Sequence, residues 1–167
     1  MIDMNSMEAV LKAEQVKRVA ELAKEIWYEH YVPIIGKEQV DYMIERFQSE
    51  AAITEQLNHG GYEYYLMKEQ SGYYGYLSFC KEEKALFLSK FYVIKPFRGK
   101  GYARMALEWL EEIGRKKGLT KIWLRVNRDN QNSIHAYERL GFVKSGEKVA
   151  DIGGGYVMDD YLMEKLI

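Results

Sequence analysis

The sequence predicts a single α/β domain over residues 1–167, with a mixed central sheet of six or seven strands flanked by helices. Three observations carry this. The chain up to Gly60 holds apolar residues at helical spacing. From Tyr62 it turns aromatic-rich and reads as consecutive short strands. An amphipathic helix from Tyr102 is then followed by an alternating strand.

Each element follows from a local pattern. Residues 7–13 are predicted as a short first strand. Within 14–30, Val16, Val19, Ala20, Ala23, Ile26 and Trp27 follow a helical period. Pro33 and Gly36 are expected to break the chain. A second helix is expected over 37–47, with Val40, Met43, Ile44 and Phe47 on one face, and a third over 50–58. Residues 62–68 and 73–81 read as strands about the Ser71-Gly72 turn, and 81–84 as a polar hairpin tip. A further strand over 85–94 ends at Pro96.

The clearest helix spans 102–117, with Ala103, Ala106, Leu107, Leu110 and Ile113 inward. Glu111 with Arg115, and Glu112 with Lys116, are expected as pairs on its wet face. Gly118 is the expected stop. Ile122, Leu124 and Val126 alternate as a strand. A short helix over 131–140 turns Ile134, Tyr137 and Leu140 inward and closes at Gly141-Phe142. Residues 142–149 and 156–166 read as a strand pair around Gly153-Gly154-Gly155.

Composition narrows the function. The net charge is −1, so nucleic acid is not expected as a partner. Cys80 is the single cysteine, which rules out an intrachain disulfide and suits a reducing compartment. No apolar run approaches the roughly 20 residues that span a bilayer, so no membrane partner is expected. Residues 1–14 carry Asp3 and Glu8 and lack a basic-then-apolar pattern, so no signal peptide is expected and the location reads as cytoplasmic. No metal is expected. The 14 tyrosines fit either ordinary packing or an aromatic-lined pocket.

The chemistry concentrates at Arg98-Gly99-Lys100-Gly101-Tyr102-Ala103, where a strand passes Pro96 and opens a helix. A helix start leaves backbone N–H groups unpaired, and its dipole favours an anion. Glycines let those groups approach a phosphate closely. Arg98 and Lys100 add positive charge. The turn lacks the terminal Gly-Lys-Ser/Thr of a Walker loop and the third glycine of the dinucleotide fingerprint. Taken alone, it fits a tight strand-to-helix turn equally well.

A second segment follows: Asn130-Gln131-Asn132-Ser133-Ile134-His135-Ala136-Tyr137-Glu138-Arg139-Leu140-Gly141-Phe142. Together the two resemble the GCN5-related N-acetyltransferase (GNAT) family. Arg98, Gly101 and Ala103 match its Arg/Gln-x-x-Gly-x-Gly/Ala motif. The second segment matches its Asn-x-x-Ala-x-x-x-Tyr-x-x-x-Gly-Phe pattern, with Ser133 in place of alanine. The likeness covers residues 62–167. The run from Gly141 to the end also resembles the bacterial polyamine acetyltransferase branch.

The resemblance implies a bulge that splays two parallel strands, with the pantetheine of acetyl-CoA, the co-substrate, between them. Phe91, Tyr92 and Val93 would offer backbone groups to pantetheine. Arg98, Gly99, Lys100, Gly101, Tyr102 and Ala103 would hold the pyrophosphate. Asn130 and Asn132 would contact the cofactor, although either also suits a helix N-cap. Tyr137 would be the general acid, protonating the departing thiolate, and would also border the cofactor.

Many members place a glutamate on the strand before the glycine-rich turn. Residues 86–91 here contain no carboxylate. Glu63, His30, Asp159 and Asp160 are alternative bases, as is a water chain. The acceptor region would be built by the segment 1–60 and the last strand pair. Trp27, Tyr28, His30 and Tyr31, with Asp151, Asp159 and Asp160, would suit a small amine such as a polyamine. A protein or peptide amine, and a non-catalytic acyl-CoA sensor on the same fold, remain open. A homodimer through the C-terminal strands is allowed, with Met158 and Tyr161 as contacts.

Overall fold

The computed structural model describes residues 6–167. Residues 1–5, which belong to the stretch read for a leader pattern, lie outside the described residues. The strands are β1 (Met7–Ala9), β2 (Tyr62–Glu69), β3 (Gly72–Lys81), β4 (Ala85–Val93), β5 (Lys121–Asn127), β6 (Val143–Gly153) and β7 (Tyr156–Leu166). The helices are α1 (Ala13–His30), α2 (Val32–Ile35), α3 (Lys37–Phe47), α4 (Glu50–His59), α5 (Tyr102–Lys116) and α6 (Gln131–Arg139). The strands form one sheet in the order β1-β2-β3-β4-β5-β7-β6. Only β4 and β5 run parallel; every other neighbouring pair is antiparallel. This is the mixed α/β sheet that the sequence predicts.

Each face of the sheet has its own core. On one, Val19, Ala23, Ile26, Val40 and Ile53 of α1, α3 and α4 pack against Tyr64, Leu66 and Tyr76. On the other, Ala106, Leu107 and Leu110 of α5 meet Leu77, Phe79, Leu86, Ile122 and Leu124, joined by Ile134 and Phe142. Each large apolar side chain removed from water this way contributes about 1.5–3 kcal/mol. The apolar stripes read from the sequence are the stripes that pack.

Several local expectations are corrected. The first strand stops at Ala9, because Leu11 and Lys12 lead into α1, with Gln15 accepting from both their amides. The helical run does break around Pro33 and Gly36: α1 ends at His30, Pro33 lies in the first turn of the short α2, where its missing N–H costs nothing, and Gly36 separates α2 from α3. Glu111 is not on the wet face of α5. It is buried and its carboxylate meets Lys165 Nζ at 2.6 Å, while Arg115 pairs with Glu112. The wet face reads correctly from α5 alone; β7 then covers one edge of it.

A bulge in β4 matters most for the site. Ser78 pairs with Lys90 and Phe79 with Leu88, so Ser89 is the extra residue. It reverses the alternation of the strand. Leu86 and Leu88 face the α5 core before it, and Phe91 and Val93 do so after it. Lys90 and Tyr92 turn to the face covered by α1–α4.

Candidate active site

The parallel pair β4–β5 is joined only at Ala85–Phe87 against Lys121–Trp123. Beyond Phe87, β4 pairs with β3 alone, and β5 pairs with β7 alone. The two strands diverge from the bulge onward. Phe91, Tyr92 and Val93 therefore border a gap whose opposite wall is Leu124 to Asn127. The gap forms part of a cleft of about 1070 Å³.

The glycine-rich turn stands at one end. Gly99 and Gly101 have φ of 75° and 87°, the left-handed region that glycine tolerates. Their Cα atoms face open space, so a side chain there would fill the approach. No side chain caps the start of α5, which leaves its first-turn N–H groups free for an anion. Arg98, Lys95, Arg104 and Arg139 also line this end. Arg98 is already engaged: its Nε donates to Val93 O at 2.8 Å and its Nη1 meets Glu29 Oε1 at 2.6 Å. Ala103 lines the cleft. Tyr102 packs instead between Tyr74 and Phe97, and Lys100 is exposed, with its ammonium over the Phe97 ring.

Helix α6 forms the far wall. Asn130 caps it, accepting from Ser133 N at 3.4 Å. The same side chain accepts from His30 Nε2 at 3.0 Å and donates to Tyr31 Oη at 3.3 Å. One buried asparagine thus ties α6 to the end of α1. Asn132 is exposed and borders the cleft. Tyr137 lines it one helical face further on. Burial, reinforced by Tyr31, pushes its phenol well above the usual range, so it stays protonated.

The other end is aromatic. Trp27 and Tyr31 stack at 4.2 Å between ring centroids, and Tyr92 meets both edge-on. Burial pushes the Tyr31 hydroxyl up to about 12.

Charge is sparse here. Asp160 is 1% exposed and its oxygens accept no hydrogen bond. Its nearest cation is Arg125, Nε to Oδ2 at 3.4 Å. Burial raises the Asp160 carboxyl above its ordinary range, and Arg125 partly offsets this. Lys90 is also buried, and burial lowers its ammonium to about 7. Its Nζ donates to Phe47 O at 2.5 Å, to Gln56 Oε1 at 3.1 Å and to the Tyr64 hydroxyl.

The structure sorts the sequence candidates. His30, Trp27, Tyr31 and Asp160 line the cleft. Asp159 points elsewhere, held by Arg128 at 3.2 Å. Asp151 is exposed and accepts from Gly153 N. Glu63 is exposed, and it acts on Tyr65, which packs on the α5 face. Tyr28 is partly exposed and bonds Asp41. Met158 lines the cleft, whereas Tyr161 lies under Arg128 and Lys144. Sequence reasoning missed Glu29, Lys90 and Arg125. Lys90 had a signal: a lone charge in the otherwise apolar run Leu86 to Val93.

The chain is similar to known proteins in sequence and in fold. Residues 16–142 match the sequence model of the Acetyltransferase (GNAT) family. The uncharacterized N-acetyltransferase YycN of Bacillus subtilis (strain 168) is 38% identical over 60 residues, 36% of this chain and 38% of that protein. Streptothricin acetyltransferase of Streptomyces lavendulae is 31% identical over 70 residues, 42% of this chain and 37% of that one. The matched stretch thus spans under two fifths of either relative. Among solved structures, the PaiA N-acetyltransferase of Thermoplasma acidophilum in complex with coenzyme A superposes with a TM-score of 0.77. It shares 23% identity, covering 97% of this chain and 99% of that one.

Proposed function

The chain belongs to the acetyltransferase (GNAT) family, and from that premise we propose that it moves an acetyl group from acetyl-CoA to a small primary amine by direct attack on the thioester. One observation carries the reading: β4 and β5 part beyond Phe87, with an uncapped helix start beside positive-φ glycines at one end of the gap and a buried carboxylate at the other. The residues present fit the co-substrate. Free N–H groups at the start of α5 suit the pyrophosphate, together with Arg98 once it exchanges Glu29 for a phosphate. The unpaired edge Phe91 to Val93 offers backbone groups to pantetheine.

The chain's own residues divide the proton work. Asp160, with its raised pKa and unbonded oxygens, receives the proton of the acceptor ammonium. Tyr137, held protonated by burial, donates to sulfur as the C–S bond breaks. Trp27 and Tyr31 form an aromatic wall that excludes water and faces the cation.

The test is thiol release from acetyl-CoA across an amine panel, with thermal shifts for acetyl-CoA, CoA and ATP. Acetyl-CoA and CoA should stabilise the protein; stabilisation by ATP alone rejects the reading. Tyr137→Phe should lower kcat on the order of a hundredfold with little change in acetyl-CoA KM. Asp160→Asn should be slowest at low pH and approach wild type as solution deprotonates the amine. A mutant-to-wild-type ratio that stays flat with pH removes Asp160 as the base.

A further inference from the structure

The charges along the cleft fall into two groups. Lys95, Arg98, Arg104 and Arg139 gather at the phosphate end, with Glu29 paired to Arg98. Lys90, Arg125 and Asp160 stand at the acceptor end. A polycationic acceptor needs several carboxylates, and the described residues lining the cleft offer two: Glu29, held by Arg98 at 2.6 Å, and Asp160. Both are shared with a guanidinium.

Lys90 Nζ is already fully engaged, by Phe47 O, Gln56 Oε1 and the Tyr64 hydroxyl. Arg125 differs. Its side chain is 24% exposed, its buried Nε makes no hydrogen bond, and its charge partner Asp160 accepts none. The buried Nε and Oδ2 face each other at 3.4 Å without a hydrogen bond, which is costly, and the part-exposed remainder of the guanidinium borders the cleft. The pair is complementary to a ligand that carries both charges.

The strand register orders the two groups. Asn127 lies opposite Asp160, and Arg125 is two residues back along β5. Behind Arg125 comes Trp123, level with Phe87, Cys80 and Tyr62, where β4 and β5 are still joined. Asp160 acts electrostatically on Tyr31, and Tyr31 acts on Tyr137. Arg125 acts on Tyr62. The carboxylate therefore sits toward the reacting end and the guanidinium toward the closed end.

We propose that the acceptor is a zwitterion: a small primary amine that also bears a carboxylate or similar anionic group, with its ammonium at Asp160 and its anion at Arg125. This rests on the acetyl-transfer reading above and names its substrate class.

The experiment uses matched amines that differ only in a carboxylate: lysine against cadaverine, and γ-aminobutyrate against butylamine, with spermidine added. Thiol release gives kcat/KM, and calorimetry on the CoA-loaded protein gives affinity without turnover. A charged hydrogen bond predicts a preference for the carboxylate-bearing member on the order of tenfold or more in both. Arg125→Gln should abolish that preference mainly through KM, and Arg125→Lys should retain part of it. Equal or better use of the amines lacking a carboxylate, spermidine included, overturns the proposal. So does a preference that survives Arg125→Gln. Absence of turnover with every amine counts against acetyl transfer; the pairwise affinities then decide the zwitterion alone.

Discussion

Lys90→Met should change the stability of the protein by an amount that depends on pH, and the dependence can be worked from the structure. Lys90 is 6% exposed, its partners are neutral oxygens, and burial lowers its pKa from 10.5 to about 7. Between those values the unfolded chain holds a proton that the folded chain has released. Stability of the wild type therefore rises with pH across this window. The Lys90 contribution is complete above the unfolded value and is lost as pH falls to the folded one. The window is about three and a half units wide, and each unit is worth about 1.4 kcal/mol, or about 5 kcal/mol in all. Methionine keeps the chain volume and cannot titrate, so the difference between the two proteins isolates Lys90. Urea unfolding followed by tryptophan fluorescence from pH 7 to 9.5 should show wild type gaining on the variant by about 1.4 kcal/mol per unit. Parallel stability curves would refute the reasoning: Lys90 would then keep its ordinary pKa, with its charge solvated or paired.

Two further outcomes follow from packing. In Gly75→Ala, the new Cβ would stand 2.2 Å from Tyr92 O and 2.6 Å from Met67 Cε. The nearer atom is backbone, so β4 must move. Urea unfolding should show a loss of about 1–3 kcal/mol, and CoA affinity should weaken with it. Lys165→Met leaves the Glu111 carboxylate buried and unpaired, and should destabilise by about 3–5 kcal/mol; Glu111→Leu with Lys165→Met should recover most of that. An unchanged midpoint for Lys165→Met alone would show that Glu111 reaches water.

Much of this was legible because it is local. The stripe Ala106, Leu107, Leu110 and the alternation Ile122, Leu124, Val126 report a helix and a strand wherever they occur, since periodicity decides which side chains share a face. The turn Arg98 to Ala103 read by itself as either an anion site or a tight turn, and gained its meaning from the Asn130 to Phe142 segment that follows it. Asn130 was legible as a cap because capping is local.

What sequence could not supply was the company each charge keeps. Glu63, His30, Asp159 and Asp160 were equal on paper as bases; the β5–β7 register buries Asp160, while Arg128 draws Asp159 away. Glu111 reads as solvated until β7 brings Lys165 to it. Lys90 stands out as a lone charge in its strand, but only the Ser89 bulge shows that it turns under α4. The sequence by itself determined the elements, their order and the glycine-rich turn before α5, because those depend on neighbours a few residues apart. Only the tertiary structure decided which carboxylate is buried in the cleft and which cation stands beside it, because desolvation and pairing depend on strands far apart in the chain.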